Sequence, residues 1–341
     1  MKIWKGYQRG INLGGWISQC KYEKSHYDTF ITEQDIERIA GFGLDHIRLP
    51  LDFEVIQTLD GQWQEEGFGY IDRCIEWCRK QGLNIVLDLH KTAGYSFNRP
   101  SASDDFFTNV VLQERFIGIW RELARRYGKY NDMMAFELLN EIVNPDCADA
   151  WNSIARRAIE TIRESAPEIS ILVGGVYYNN IYGLAYLDDP YDENIIYNFH
   201  CYEPMLFTHQ SAPWHATMPK DMIMEYPATF EEYKEKTKVL DPTANRIFRD
   251  GIVDSMGEKF FVDFFAIAVD FAEKRNASLY CGEYGVIQKA PVQSILNWYR
   301  DIHAAFERFG IGRAAWSYKK MDFDIIGEHY KPILDQIIPL L

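Results

Sequence analysis

The sequence predicts a single (β/α)8 barrel, an α/β fold, on the evidence of three features of its 341 residues. Short apolar runs alternate with amphipathic stretches from end to end, the pattern expected of a parallel sheet with helical crossovers. Polar side chains recur at the carboxyl ends of the apolar runs, where such a barrel carries its functional groups. No Pro-, Gly- or Ser-rich linker and no internal repeat divides the chain, so we expect one catalytic domain over residues 1–341.

Eight apolar runs are short enough to be barrel strands. They are Gly10–Leu13, His46–Leu49, Asn84–Leu89, Met134–Asn140, Ile169–Val173, Ile195–Phe199, Leu279–Gly282 and Gly312–Trp316. Two of the intervening helices have clear sequence signals. Residues Tyr70–Gln81 place apolar side chains at helical spacing, and Gly82 supplies a left-handed stop. Thr32 with Asp35 is typical of a helix N-terminus.

One segment interrupts this alternation after the sixth strand. Residues 203–258 are too long and too rich in Pro-containing turns for an ordinary connection between a strand and a helix. Because the connections that follow barrel strands lie at the catalytic face, we expect an insertion that forms a lid or small subdomain at one end of a cleft. Phe207 and Trp214 would give this insertion flat surfaces for stacking against sugars. A surface insertion with no role in binding is the alternative.

Composition and short motifs exclude several classes of protein. A net charge of −14 disfavours nucleic acid as a partner. No apolar run approaches the ~20 residues of a membrane span, and the first ten residues lack a signal-peptide pattern. The sequence as given therefore predicts a cytoplasmic protein, or a secreted one if a leader was removed. No His-x-His motif follows the first strand, and the sequence has no P-loop or dinucleotide-binding motif. We therefore expect the protein to use neither a catalytic metal nor a cofactor. The six cysteines are expected to be free thiols.

Two glutamates are the most informative residues of the chain. Glu141 follows the apolar run that begins at Met134, and Glu283 follows the run that begins at Ser278. Each places a carboxylate where a buried strand meets a loop. Two acids at the mouths of separate barrel strands predict cleavage of a glycosidic bond by a general acid and a carboxylate nucleophile.

Other polar or aromatic side chains end the remaining strands, where burial without a partner would be costly. Each has an ordinary structural explanation when taken alone, such as a salt bridge for Arg48 or core packing for Trp316. Their shared position at strand ends favours a common site instead. The set comprises Arg48, His90, Asn140, His200, Tyr202 and Trp316.

These residues occur in motifs that resemble glycoside hydrolase family 5, the retaining, cellulase-type barrel enzymes. The motifs are Ile11-Asn12-Leu13-Gly14-Gly15-Trp16, His46-Ile47-Arg48-Leu49-Pro50, Leu87-Asp88-Leu89-His90, Leu139-Asn140-Glu141, His200-Cys201-Tyr202, Cys281-Gly282-Glu283-Tyr284-Gly285 and Trp316. The resemblance spans nearly the whole chain. Within the family, the chain looks most like the compact, single-domain bacterial endo-β-glucanases. It implies that Glu141 is the acid/base and Glu283 the nucleophile. Lys91 departs from the pattern, because many relatives carry a second His there.

The mechanism that this resemblance implies makes definite demands on geometry. We expect the two carboxyl groups ~5 to 5.5 Å apart, the separation of retaining enzymes. Arg48 and Tyr202 should lower the pKa of Glu283, and His200 should orient Glu141. Asn140 is expected to bind the sugar 2-hydroxyl. Trp316 should form the floor of the −1 subsite, with Trp16, Phe207 and Trp214 as further stacking candidates.

The expected partner is a β-glucan polysaccharide or oligosaccharide, with no obligate protein partner evident. Resemblance favours β-1,4-glucans, mixed-linkage β-1,3-1,4-glucans or cello-oligosaccharides as substrates. A β-mannanase or a β-1,3-glucanase on the same scaffold is an alternative, because these enzymes share the rim residues. A non-catalytic carbohydrate-binding barrel is a further alternative, although such a protein would be expected to have lost one of the two glutamates. Oligomeric state and endo or exo action are left open.

Overall fold

The computed structural model describes residues 1–98 and 105–341, and its centre is a closed barrel of parallel strands. The strands follow one another around the barrel in chain order, and the eighth pairs with the first. They are β1 (Arg9–Asn12), β2 (His46–Asp52), β3 (Asn84–Lys91), β4 (Met134–Glu137), β5 (Ser170–Gly174), β6 (Ile195–Cys201), β7 (Ser278–Tyr284) and β8 (Gly312–Ala315). The predicted fold class is therefore confirmed.

Helices surround the barrel and cover the outer face of its strands. In chain order they are α1 (Lys24–Phe30), α2 (Glu33–Gly41), α3 (Phe53–Ile56), α4 (Glu65–Gln81), α5 (Asp105–Thr108), α6 (Val110–Tyr127), α7 (Ala148–Arg163), α8 (Met205–Thr208), α9 (Phe230–Lys236), α10 (Arg246–Arg249), α11 (Glu258–Lys274), α12 (Val292–Phe309) and α13 (Leu334–Ile337). Thr32 forms a capping box with Asp35 at the start of α2. Gly82 ends α4 in the left-handed conformation, with φ of +70°. Both sequence signals are thus confirmed.

All eight strands lie where the sequence predicts them, but several ends differ. β2, β3, β6 and β7 run two or three residues past the predicted ends, while β4 ends at Glu137 rather than Asn140. The early end of β4 has a consequence for the site. Asn140 and Glu141 lie on the loop after the strand, and Glu141 adopts a positive φ of +33°. Residues with such strained backbone conformations are common at functional sites.

The crossover from β5 to β6 breaks the predicted alternation of strands and helices. It contains a short 3₁₀ segment, Ile181–Tyr186, and no α-helix, although every one of its residues is described. The expectation of an amphipathic helix after every strand is therefore wrong at this point. Three consecutive residues of this connection, Tyr177–Asn179, have positive φ and turn the chain where a helix would otherwise begin.

The segment after β6 is folded and packs on the rest of the domain. It contains α8, α9 and α10, and its side chains Phe207, Tyr226 and Tyr233 are buried. The Tyr226 hydroxyl donates to Asp301 on α12 at 2.9 Å, which anchors the segment to the barrel wall. None of the helices within residues 1–98 and 105–341 combines the length and apolar character that crossing a membrane requires.

Candidate active site

Arg48, on β2, is the centre of a buried network at the barrel mouth. Its Nε and Nη2 atoms donate to the two oxygens of Glu137 on β4, each at 2.7 Å. Its Nη1 donates to Oε1 of Glu283 at 2.8 Å, and Nη2 donates to Oδ1 of Asn140 at 2.9 Å. Because the guanidinium is planar and multiply bonded, it holds these side chains in one fixed arrangement.

Glu283 is held at the end of β7 by two donors that contact different oxygens. Arg48 binds Oε1, and the Tyr202 hydroxyl donates to Oε2 at 2.9 Å. Tyr202 follows β6, the neighbouring strand, so the barrel topology brings the two residues together. Both donors stabilise the ionised carboxylate, which is the form that a nucleophile requires.

Glu141 contacts a different partner. Its Oε1 lies 2.8 Å from Nδ1 of His200 on β6, with donor and acceptor roles that depend on the imidazole tautomer. Its backbone carbonyl accepts a hydrogen bond from the Tyr95 hydroxyl at 2.8 Å. No positive charge contacts the carboxyl group among the contacts described. Glu141 therefore lies in surroundings that favour its protonated form.

The two carboxyl groups lie close together across the mouth of the barrel. An oxygen of Glu141, an oxygen of Glu283 and a ring nitrogen of His200 all lie within 4.8 Å of one another. Within the described part of the chain, this is the cluster whose donor atoms are close enough to hold a metal ion. Arg48 and Tyr202 already occupy both oxygens of Glu283, and this favours a pair of reacting acids over a metal centre.

Burial raises the pKa of both glutamates, and the groups around each one separate the two pKa values. Burial, and then the negative charge of Glu283, raise the pKa of Glu141 well above its usual range. Burial also raises the pKa of Glu283, but Arg48, His90 and the Tyr202 hydroxyl oppose that rise. Arg48 and Tyr202 thus lower the pKa of Glu283, as predicted, but they offset the effect of burial only in part. The predicted order holds, with Glu141 the more basic carboxylate.

His90 and Trp316 form one wall of the space beside Glu283. Their rings are stacked at 5.7 Å and 3°. His90 is fixed by a 2.6 Å contact between its Nδ1 and Asp88, and burial lowers its pKa to about 4. Gly14 allows the close approach of Trp316, because a Cβ at position 14 would lie 2.9 Å from the indole ring. The wall therefore presents a neutral imidazole beside an aromatic ring.

Three buried polar atoms around the two glutamates have no hydrogen-bond partner among the described residues. They are Nδ2 of Asn140, Nε2 of His90 and Nε2 of His200. Unpaired buried groups of this kind are costly unless a ligand satisfies them. The site therefore offers hydrogen-bonding groups suited to a polyhydroxylated ligand such as a sugar.

Comparison with known proteins identifies the family. The family model described as "Cellulase (glycosyl hydrolase family 5)" matches residues 8–322. The chain belongs to glycosyl hydrolase family 5. It is 41% identical over 339 residues to Endoglucanase C of Acetivibrio thermocellus, covering 98% of each chain. It is also 41% identical over 309 residues to Cellodextrinase A of Ruminococcus flavefaciens, covering 91% of this chain and 84% of that one.

A solved structure supports the fold of this family 5 chain. Endoglucanase Cel5A of the hyperthermophile Thermotoga maritima matches with a TM-score of 0.77, covering 99% of this chain and 97% of that one. At 21% identity this likeness concerns the fold. Taken with the family match and the full-length relatives, it makes the protein a glycosidase built on the (β/α)8 barrel.

Two aromatic residues proposed from the sequence of this family 5 member lie away from the cleft. Trp16 is fully buried and donates its indole N–H to the carbonyl of Tyr27 at 2.8 Å, next to Trp77. Phe207 is also fully buried and packs on Tyr226. Neither ring has an exposed face for a sugar, so their assignment as stacking residues is corrected to core packing.

Trp214 differs from these two rings, because it is 52% exposed. It lies 6.5 Å from the ring of Phe323, which in turn lies 5.5 Å from Tyr202, the residue that contacts Glu283. A short aromatic path therefore leads from Glu283 to the insertion. The prediction that Trp214 offers a stacking surface remains open.

Sequence reasoning missed the residues that hold Arg48. Asp88, whose Oδ2 lies 3.0 Å from Arg48, and Glu137 are both fully buried. Asn198 bridges Glu137 and the backbone of Gly282, and Asn12 contacts Arg48 at 3.0 Å. Charged residues within the apolar runs of β3 and β4 are the signal that could have found Asp88 and Glu137, since a buried strand carries a charge only when it is paired.

Proposed function

We propose that this family 5 glycosidase is a retaining β-glucanase that hydrolyses β-1,4 and mixed-linkage β-1,3-1,4 glucans or cello-oligosaccharides. One observation carries the proposal on mechanism. Carboxylate oxygens of Glu141 and Glu283 lie within 4.8 Å, which leaves too little room for the water that an inverting enzyme places between its two acids. A separation of about 9 Å would favour inversion.

The proposed reaction has two steps. Glu283 attacks the anomeric carbon to form a glycosyl ester, while the protonated Glu141 donates its proton to the departing glycosidic oxygen. Glu141, now ionised, then takes a proton from the water that attacks the ester, which releases the sugar and restores Glu283. The high pKa of Glu141 and the two donors on Glu283 support this division of roles.

The remaining residues of the site support substrate binding in this proposal. Trp316 forms the floor of the −1 subsite, and the free Nδ2 of Asn140 donates to the 2-hydroxyl of the sugar bound there. Arg48 fixes Asn140 through its Oδ1, so Nδ2 is the atom that remains for substrate. Hydrogen bonds to the 2-hydroxyl strengthen as the transition state develops.

The similarity to an endoglucanase and to a cellodextrinase supports a β-1,4-linked glucose polymer or oligomer as the substrate. We further propose that residues 203–258 form a subdomain that closes one end of the cleft. Exposed Trp214 and its path through Phe323 to Tyr202 support this placement. A walled cleft would favour soluble chains over crystalline cellulose.

Product analysis tests the proposal directly. We expect reducing ends to appear from barley glucan and cellotetraose, with little release from laminarin or glucomannan. Proton NMR of the first product should show the β-anomer before mutarotation. A first product in the α-configuration would overturn the retaining mechanism, and preference for laminarin or glucomannan would overturn the assigned substrate.

A further inference from the structure

The loop after β5 has an unusual backbone conformation close to the active site. Tyr177, Tyr178 and Asn179 have φ values of +58°, +59° and +54°. Residues other than glycine seldom adopt this region, and a bulky aromatic residue does so at a cost. Three in succession persist only where the surrounding structure fixes them, as often occurs at functional sites.

The loop is fixed to both sides of the catalytic acid. The N–H of Tyr178 donates to the carbonyl of Ile142, the residue after Glu141, at 2.9 Å. The N–H of His200, whose ring contacts Glu141, donates to the carbonyl of Asn179 at 2.8 Å. The loop therefore cannot shift without moving the acid or the histidine that orients it.

Asn179 holds the loop against the end of β5. Its side chain is fully buried, and it packs so closely on Gly174 that a Cβ there would lie 2.3 Å from Nδ2. The preceding residue, Tyr178, is 43% exposed, in contrast to the buried rings of Trp316 and Tyr95.

Two negative charges act on the pKa of the Tyr178 hydroxyl. Burial, and then the negative charges of Glu141 and Asp241, raise the pKa of Tyr178. Glu141 belongs to the catalytic pair, whereas Asp241 belongs to the insertion after β6. Together with the hydrogen bond from the N–H of Tyr178 to the carbonyl of Ile142, this places Tyr178 near the acid, at the edge of the mouth of the barrel.

The position of Tyr178 around the barrel places it on one particular side of the scissile bond. The wall made by His90 and Trp316 belongs to the ends of β3 and β8, and it receives the sugar that Glu283 attacks. Tyr178 follows β5, on the side of Glu141 and away from β8. Because the acid must contact the departing oxygen, the leaving sugar extends from Glu141 toward this loop.

We propose that Tyr178 forms the binding surface for the leaving-group sugar, the first unit on the reducing side of the cleaved bond. Its ring would contact the apolar face of that sugar, as aromatic rings do in many carbohydrate clefts. The strained loop would hold the ring rigidly, so that binding costs little ordering. This inference rests on the proposed hydrolysis of β-glucans.

The test compares substrates with and without a leaving-group sugar. Tyr178→Asn is the preferred variant, because Asn tolerates the left-handed conformation. With cellotetraose, kcat/KM should fall about tenfold. With β-cellobiosyl fluoride, whose leaving group is a single fluoride ion, it should stay within about twofold, which also shows that the variant is folded.

The matched control is Tyr191→Asn, which removes a tyrosine of similar exposure, 41%, in the connection leading into β6. It should leave both rates unchanged. Equal losses on both substrates for Tyr178→Asn, or no loss on cellotetraose, would overturn the inference. A wild-type enzyme inactive on both substrates would instead overturn the proposed function, so the two failures are distinguishable.

A second measurement compares two reactions of the same intermediate, the glycosyl ester at Glu283: transfer to an added sugar and hydrolysis by water. With β-cellobiosyl fluoride as donor and added cellobiose as acceptor, an acceptor hydroxyl or water attacks the ester at Glu283 while Glu141 takes the proton. The ratio of transfer product to released fluoride then reports how well the acceptor competes with water for this ester. Tyr178→Asn should lower this ratio about tenfold. A ratio equal to that of wild type, from an enzyme that does transfer, would overturn the assignment.

Discussion

The hydroxyl of Tyr202 donates to Oε2 of Glu283 at 2.9 Å, while Arg48 binds the other oxygen of the same carboxylate. Tyr202→Phe removes a hydrogen bond to the charged form, so the pKa of Glu283 should rise further. The acidic limb of the kcat/KM profile should move to higher pH, and the maximum should fall about ten- to hundredfold. Tyr127→Phe, which removes another buried hydroxyl, is the control. An unmoved acidic limb would contradict this account.

The pH dependence of the reaction follows from the two glutamates. The proposed mechanism requires Glu283 ionised and Glu141 protonated, so kcat/KM should rise with pH through the pKa of Glu283 and fall through the pKa of Glu141. Both pKa values are raised by burial, that of Glu141 the further. Glu141→Ala should lose most activity on cellotetraose but keep more on β-cellobiosyl fluoride, which needs little proton donation. Its profile on the fluoride should lack the alkaline limb, and persistence of that limb would assign it to another group.

Azide should distinguish the two acids by the configuration of its product. In Glu283→Gly, azide can enter where the nucleophile was and attack β-cellobiosyl fluoride to give the α-azide. In Glu141→Gly, azide attacks the ester on Glu283 from the opposite face and gives the β-azide. Without azide, Glu283→Gly should lose about 10⁴-fold or more in turnover, yet Glu283→Gln should still bind cellotetraose by calorimetry. Formation of the α-azide by Glu141→Gly would reverse the assignments.

The buried network around Arg48 makes stability depend on pH. Burial raises the pKa of Asp88 to about 7, far above its value in an unfolded chain. Between about pH 4 and pH 7 the folded protein therefore binds a proton that the unfolded chain has lost, so Asp88 makes unfolding easier as pH rises. In Asp88→Asn, the amide oxygen can replace Oδ2 toward Arg48 and His90, and the amide nitrogen replaces Oδ1, which has no partner among the described residues.

Urea denaturation at pH 5 and pH 8 tests this dependence. The free energy of unfolding of Asp88→Asn should fall less between the two pH values than that of wild type. Glu137 also has its pKa raised to about 7 by burial, so some dependence should remain. Asp263→Asn, which changes a surface carboxylate paired with Lys259, is the control. Equal pH dependence in Asp88→Asn and wild type would show that Asp88 does not titrate in this range.

Sequence alone predicted the barrel well because parallel strands buried on both faces leave continuous apolar runs. It also predicted that Glu141 and Glu283 lie close together, since polar residues at the ends of barrel strands meet at one common mouth. It could not predict where each aromatic ring points. Trp16 and Phe207 resemble cleft residues in sequence but fill the core, because local pattern does not record which tertiary surface covers a side chain.

The partners of Arg48 were missed for a related reason. Asp88 and Glu137 lie within β3 and β4, and their roles depend on a side chain from β2 that reaches them only in the closed barrel. The sequence also could not predict the net rise in the pKa of Glu283, because that rise depends on how far burial outweighs Arg48 and Tyr202. The 3₁₀ crossover after β5 was missed because its apolar residues also fit a helix.

Trp214 offers a test of the insertion, because this exposed ring lies 6.5 Å from Phe323, which in turn lies beside Tyr202. If residues 203–258 wall the cleft, Trp214→Ala should raise KM for barley glucan about five- to tenfold and leave kcat within about twofold, since the ring would bind ground state and transition state alike. Trp63→Ala is the matched control, since Trp63 is 40% exposed before α4, outside the insertion. Steady-state kinetics on barley glucan and on β-cellobiosyl fluoride would show whether Trp214 binds substrate or is only a surface residue. An unchanged KM on both substrates would leave Trp214 as a surface residue, whereas a fall in kcat alone would indicate that the insertion acts on Tyr202 and, through it, on Glu283.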